Sequence, residues 1–256
     1  MTPLKHFYKP LRTLLLAGVA VIAISACASN RGNMPSPDYS GMPAAQSQQT
    51  LAALTARYKA NPKDKATAIH YAAALRAAGQ SKQAVAVLEI SMSLYPKDVD
   101  INVAYAKALT ADGRFEQSLT VLDNVIRPEA PDWNALLVKG ATLDQLGRNG
   151  EARALYTQAL VFAPGEASIE ANIGLSYAMT NELAAAEQHL RRAVQMPGAS
   201  SRIRQNLALV VGLQGRFDEC RALYAAELPP EQVESNMAYV RALLTQQNRW
   251  DMIEQG

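Results

Sequence analysis

Apolar residues recur at helical spacing along most of the chain, and the whole pattern repeats at a constant interval of about 34 residues. The unit at residues 133–164 shows this most clearly. Gly140 and Leu143 lie on one face of a first helix, and Tyr156 and Ala159 continue the apolar face of a second. Each unit therefore predicts two helices joined by a turn, called here the first and second helix of a repeat.

Turn-forming residues separate the two helices of each unit. Gly, and once Asn, can adopt the left-handed backbone conformation that ends one helix and starts a turn. Such residues stand one repeat apart at Gly79, Gly113, Gly147, Asn181 and Gly215. A second series is predicted to close the second helices, namely Pro62, Pro96, Pro131, Pro164, Pro197 and Pro230.

Small residues also recur where two helices must approach closely. In the first helices they are Ala72, Ala106, Gly140, Gly174 and Ala208. In the second helices they are Ala84, Ser118, Ala152, Ala186 and Cys220. Larger apolar residues of the second helices recur at Leu88, Leu122, Tyr156, Leu190 and Tyr224.

This register resembles the tetratricopeptide repeat, and an ordinary helical bundle would not keep it five times. The resemblance implies an all-α fold, a right-handed superhelix or α-solenoid. Its five repeats are expected at residues 65–230, behind an N-terminal capping helix at 47–64. Residues 231–256 are expected to form the C-terminal capping helix region.

The first 26 residues read as a secretory signal peptide. Lys5, Lys9 and Arg12 form a basic start, and an apolar run at 14–24 follows that is too short for a transmembrane helix. The run Ile24-Ser25-Ala26-Cys27 resembles the bacterial lipobox, which implies that Cys27 is acylated and becomes the mature N-terminus. The alternative is an ordinary signal peptide with an incidental cysteine. Residues 27–46, rich in Pro, Gly, Ser and Asn, predict a flexible tether behind the anchor.

Charge and composition exclude several function classes. The formal charge of +2 becomes −1 without the leader, because 22 basic and 23 acidic residues then remain, so the charge gives no support for nucleic-acid binding. His70 and His189 have no ligands at metal-binding spacing, and Cys220 has no placed base. We therefore expect no enzyme activity, no metal and no cofactor.

The superhelix instead predicts a concave groove, lined by first helices, that binds an extended peptide or a partner helix. Asn172, Asn206 and Asn236 recur just before the apolar positions of three first helices, and a row of amides could hold a peptide backbone. The alternative is that they brace neighbouring helices. Further groove candidates are Lys107, Arg76, His70 and Arg202.

Beyond the generic repeat, residues 201–228 and the following "PPEQVESNMAYVRALL" resemble the TadD lipoproteins of the tight-adherence (Flp-type) pilus apparatus. The resemblance implies an outer-membrane lipoprotein that faces the periplasm and assists pilus assembly and secretion. Ala28, after the acylated cysteine, fits export to the outer membrane. The expected partners are the secretin or a neighbouring lipoprotein, together with the membrane through the lipid. The alternatives are a pilotin-like or outer-membrane-protein assembly lipoprotein, or a generic peptide-binding periplasmic chaperone.

Overall fold

The computed structural model describes residues 39 and 42–254. The predicted signal peptide, the predicted acylation site at Cys27 and most of the predicted tether lie outside these described residues. The described part of the chain is built from helices and connecting turns and contains no strand. Its helices are α1 Ala44–Ala60, α2 Lys65–Ala77, α3 Ser81–Leu94, α4 Val99–Ala111, α5 Phe115–Asp123, α6 Trp133–Gln145, α7 Asn149–Phe162, α8 Ala167–Met179, α9 Leu183–Gln195, α10 Ser201–Leu213, α11 Phe217–Ala225 and α12 Pro230–Glu254.

The five first helices α2, α4, α6, α8 and α10 each begin directly after a residue whose side chain caps the helix N-terminus. The cap accepts a hydrogen bond from a backbone N–H in the first turn, which would otherwise have no partner in the helix. The caps occupy the same position of successive repeats, at Asp64, Asp98, Asp132, Glu166 and Ser200. Because α2, α4, α6, α8 and α10 all begin at the same point of the repeat, they turn equivalent positions toward the same side.

The predicted turn residues all adopt the left-handed conformation, which confirms that part of the sequence pattern. Their φ angles are +73° at Gly79, +78° at Gly113, +73° at Gly147, +60° at Asn181 and +80° at Gly215. Asn181 is the non-glycine member, and Asn tolerates this region better than most residues. The turns reverse the chain between the first and second helix of each pair.

The small residues predicted at the helix crossings are buried. An ideal Cβ on Gly140 would lie 2.4 Å from Cε1 of Tyr156, and one on Gly174 would lie 2.9 Å from the backbone oxygen of Ala186. Cys220 is fully buried, as its place in the small-residue series predicts. These crossings leave no room for a larger side chain.

Neighbouring first helices contact one another along the whole stack, from α2 to α12. Each second helix, by contrast, contacts only the first helices before and after it. The first helices therefore form a continuous inner layer, and the second helices form an outer layer whose members lie apart. The buried apolar core runs between the two layers.

Two of the predicted helix endings are wrong. The second helices α5 and α11 end at Asp123 and Ala225, well before Pro131 and Pro230. Pro128 lies in the segment where α5 would otherwise continue, and proline cannot donate the hydrogen bond that a helix interior needs. Pro230 begins α12, a position where its missing N–H costs nothing.

None of the helices in the described part of the chain combines the length and the apolar character that crossing a membrane requires.

Candidate functional site

An open cleft of about 850 Å³ lies along the inner layer. Each of the five first helices from α2 to α10 contributes to its lining a side chain that can donate hydrogen bonds. These side chains are Arg76 from α2, Lys107 from α4, Asn134 from α6, Asn172 from α8 and Arg202 from α10. The cleft therefore offers donors along the whole stack and not at a single point.

The structure brings four of the seven predicted groove residues into this cleft: Arg76, Lys107, Asn172 and Arg202. Their role in binding remains a prediction. Lys107 donates from Nζ to Oδ1 of Asn134 over 3.2 Å, which links α4 to α6 across the floor of the cleft. Asn172 is half-buried, and its Nδ2 donates to the backbone oxygen of Ser168 over 2.7 Å. That bond uses one of the two amide hydrogens and leaves the side-chain oxygen available.

The predicted row of three asparagines is not formed within this cleft. Asn206 on α10 and Asn236 on α12 are half-buried and precede the buried Leu207 and Met237, but neither lines the cleft. The lining on α10 consists of Arg202 and Ile203, in the first turn of the helix, so Asn206 lies beyond its edge.

His70 contacts a residue that lies outside the helices. The hydroxyl of Tyr39 is 2.8 Å from Nδ1 of His70, and the two rings meet edge to face at 6.3 Å. Burial raises the pKa of Tyr39, and nearby Arg57 opposes this, so the phenol remains protonated near neutral pH. The tautomer of His70 decides which of the two groups donates this hydrogen bond. Tyr39 itself lines the cleft, and His70 does not.

Sequence reasoning missed Asn134 and Tyr39. Asn134 occupies the same repeat position as Ser168 and Arg202, so the register that placed Arg202 in the groove could also have placed Asn134 there. Tyr39 gives no such signal, because it precedes α1 and belongs to no repeat.

Among the described residues, the cleft lining includes the cationic side chains of Arg76, Lys107 and Arg202 and the carboxylate of Glu166. The three cations also interact with other groups of the chain. Glu166 caps α8, and its Oε1 accepts from the hydroxyl of Ser168 over 2.8 Å and from the backbone N–H of Ser168 over 3.3 Å. The carboxylate of Glu166 therefore has a structural role, because it caps α8.

The most elaborate buried polar cluster lies between α6, α7 and α8. Asp144 accepts from the hydroxyls of Tyr156 and Ser176, each over 2.7 Å, and from Nδ2 of Asn149 over 2.8 Å. Burial raises the pKa of Tyr156, and the charge of Asp144 adds to this, so the phenol remains protonated and donates. Asp144, Tyr156 and Ser176 are buried and do not line the cleft, so they join three helices rather than meeting a substrate.

Cys220 is likewise structural. Its sulfur lies 3.5 Å from Sδ of Met237, and burial raises the pKa of its thiol, an effect that Arg221 only partly opposes. The reactive thiolate is thus disfavoured. Within the described residues, no group of three His, Cys, Asp or Glu side chains could hold a metal ion.

Comparison with known proteins fits this architecture. A family model described as tetratricopeptide repeat matches residues 75–140. The crystal structure of a tetratricopeptide repeat protein from Parabacteroides merdae superposes with a TM-score of 0.65 at 10% identity, covering 77% of this chain and 78% of that one. The chain folds as a tetratricopeptide-repeat superhelix.

Two further solved structures share this tetratricopeptide-repeat fold. A thermophilic repeat protein of Thermus thermophilus has a TM-score of 0.58 at 20% identity, covering 77% of this chain and 99% of its own. PilW, described as a widely conserved type IV pilus biogenesis factor, has a TM-score of 0.56 at 17% identity. The match covers 77% of this chain and 91% of PilW. At these identities the likeness concerns the fold alone. No curated protein sequence matches the chain.

Proposed function

We propose that this chain is a scaffold of the bacterial cell envelope that holds an extended segment of a protein partner in the cleft between its first helices. The observation that carries the proposal is the donor row of the cleft: Arg76, Lys107, Asn134, Asn172 and Arg202, one side chain from each of five consecutive first helices.

An extended segment suits this row for a geometric reason. Its backbone carbonyls recur at regular intervals of about 3.3–3.6 Å per residue, and repeat proteins present binding groups along a curved inner surface. Tyr39 supports the same view, because a non-helical residue of the chain itself already lies against this wall and bonds to His70.

The proposal includes a lipid anchor at Cys27. Its support is the sequence of residues 24–27, preceded by a basic start and an apolar run. Several acyl chains on one cysteine would hold the chain on the membrane stably, whereas one chain would hold it only marginally. Replacement of Cys27 by Ser should therefore release the chain from carbonate-washed membranes, and retention of the variant there would contradict the anchor.

We further place the scaffold in assembly of a tight-adherence pilus, at the periplasmic face of the outer membrane. The support is the resemblance of residues 201–228 and of the "PPEQVESNMAYVRALL" segment to lipoproteins of that apparatus. The fold of PilW is compatible with such a role. The proposed partners are the secretin or a neighbouring lipoprotein.

A matched pair of asparagines tests the groove. Asn172 and Asn206 occupy the same position of successive repeats, and both are half-buried, but Asn172 lines the cleft and Asn206 does not. Loss of one hydrogen bond is worth about 0.5–1.5 kcal/mol, so Asn172→Ala should weaken binding to the purified secretin about two- to twelvefold.

Asn206→Ala should leave this affinity unchanged, with the full chain titrated in detergent in both cases. Melting followed by circular dichroism shows whether either variant acts through stability. If the two variants weaken binding equally, or only in proportion to a lowered melting temperature, both asparagines are structural braces and the groove does not bind the partner.

A further inference from the structure

The inner layer changes its chemistry part-way along the stack. The change is clearest at two positions of the first helices, nine and thirteen residues after the capping residue. In α2, α4 and α6 both positions line the cleft, and their side chains are small or polar. These residues are Ala73, Ala77, Lys107, Ala111, Ala141 and Gln145.

In α8, α10 and α12 the equivalent positions carry large apolar side chains. Those of α12 follow from the match between "NLALVVGL" in α10 and "NMAYVRAL" in α12. The six residues, called here the apolar strip, are Leu175, Met179, Leu209, Leu213, Tyr239 and Leu243. Because α8 contacts α10 and α10 contacts α12, the three pairs lie side by side on the inner layer.

The apolar strip is open in the described part of the chain. Met179 is 52% exposed and Tyr239 is 59% exposed, and the four leucines are half-buried. α12 continues as a helix to Glu254, so it runs past the strip and does not turn back over it. The strip also continues the cleft, since Asn172 lines the cleft and Leu175 follows about one turn later in α8. An apolar surface of this kind is typical of an interaction site.

We infer that the apolar strip binds one face of an amphipathic helix, which belongs to the same partner whose extended segment lies in the cleft. This inference rests on the proposed function, because it names a further part of the bound segment.

The chemistry of the strip favours a helix over an extended chain. The backbone N–H and C=O groups of an extended segment need hydrogen-bond partners where they are buried. Of the six side chains of the strip, only Tyr239 has a polar group. The residues that directly precede the second member of each pair, Ala178, Gly212 and Ala242, add no polar side chain. A helix pairs its own backbone and can therefore lie on such a surface.

The spacing of the strip also fits a helix. Packed helices lie about 8–10 Å apart, so the apolar pairs of α8, α10 and α12 recur at about this interval. Residues seven apart in a helix face the same side and are about 10.5 Å apart. Alternate residues of an extended chain recur at only about 6.6 Å. A bound helix with apolar residues at i, i+7 and i+14 therefore contacts all three pairs.

Matched double variants test whether the strip binds the partner. Met179→Gln with Tyr239→Gln changes the two most exposed side chains of the strip. Val161→Gln with Phe162→Gln is the control, because these residues are 74% and 48% exposed on the outer helix α7. With the full chain in detergent, the first pair should weaken binding to the purified secretin about tenfold or more, and the second should not change it. Circular dichroism should show unchanged melting for both.

Photoreactive residues at positions 179 and 239 then report the conformation of the bound segment. α8 and α12 are two helix spacings apart, which is roughly 16–20 Å. A helical segment covers this distance with about 11–13 residues, and an extended segment with about 5–6. We expect the two adducts, mapped by mass spectrometry, to lie on secretin residues about 11–13 positions apart.

Three outcomes would overturn the inference. The first is a pair of adducts about 5–6 positions apart, which would mean that an extended segment crosses the strip. The second is equal binding of the secretin by the two double variants while Asn172→Ala still weakens it, which would leave the proposed function intact. The third is an adduct from position 239 with this chain itself or with a second copy of it. Failure of the proposed function is distinct, because then Asn172→Ala would also leave binding unchanged.

Discussion

At the scale of single residues, the fold depends on three glycines of the first helices that lie directly against their neighbours. A Cβ at Gly140, Gly174 or Gly212 would come within 2.9 Å of another heavy atom in every case. At Gly140 the obstacle is the ring of Tyr156, whose hydroxyl is fixed by Asp144. The ring cannot swing aside without breaking a buried hydrogen bond.

Gly140→Ala should therefore destabilise the chain, although alanine is the better helix former. Overpacking of a tight crossing typically costs about 1–3 kcal/mol. Gly150→Ala is the matched control, because a Cβ there meets nothing within 4 Å and α7 should gain up to about 1 kcal/mol. Urea unfolding of both variants measures the two effects. A neutral Gly140→Ala would mean that the α6–α7 crossing is looser than described.

The sequence predicts the turn residues and the small crossing residues well. Each of them meets a local steric need, and that need recurs at the same position of every repeat. The left-handed turns and the small crossing residues both follow the repeat register. Asn134 shares the register but was missed, since its side chain acquires a role only when α4 places Lys107 beside it. Tyr39 could not have been predicted, because its contact with His70 joins positions 31 residues apart outside any repeat.

At the scale of elements, the last repeats are joined by a charge network centred on Glu187 of α9. Its carboxylate accepts from Arg216 over 2.7 and 3.0 Å, from Gln214 over 2.8 Å and from Arg191 over 2.7 Å. Arg216 also donates to Glu219 of α11. The network joins α9 to the turn between α10 and α11.

The network makes stability depend on pH. Hydrogen bonds from Arg216 chiefly, then from Gln214 and Arg191, lower the pKa of Glu187 from its ordinary 4.5 to about 2 against the opposing effect of burial. Because the folded pKa is the lower one, the stabilisation is complete above about pH 4.5 and is lost as the pH falls toward 2. Because 39% of the Arg216 side chain is exposed, solvent weakens its interaction with Glu187. The ionised Glu187 therefore contributes on the order of 1–2 kcal/mol to the free energy of unfolding.

Glu187→Gln tests this element directly. Between about pH 6 and pH 3, the free energy of unfolding of the parent chain should fall by on the order of 1 kcal/mol more than that of the variant. Urea unfolding of both chains at the two pH values gives the difference, in which the other carboxylates cancel. An equal fall in parent and variant would show that Glu187 is as easily protonated in the folded chain as in the unfolded one.

The sequence pattern predicts the order of the helices correctly, but it predicts where they end less accurately. The proline series fails at Pro131 and Pro230, because α5 and α11 stop early and Pro230 starts a helix. Proline is compatible with the segment after one helix and with the first turn of the next. The capping series from Asp64 to Ser200 would have been the better marker, since it fixes where each first helix begins.

At the scale of the whole molecule, the stack of first helices brings side chains from separate repeats together along one cleft. The sequence pattern predicted a groove, and four of the seven residues predicted for it line this cleft. It could not predict where the cleft ends. That boundary lies on α10 between Ile203 and Asn206, and it depends on how successive helices pack.

The measurement that tests the central claim most directly is site-specific photocrosslinking in cells that assemble the pilus. A photoreactive residue at Ala141 reports on the cleft, and one at Val161, which is 74% exposed on the outer helix α7, serves as the matched control. The account predicts that position 141 forms an adduct with the secretin or a neighbouring lipoprotein and that position 161 does not. The same adduct from position 161, or an adduct from 161 with none from 141, would contradict it.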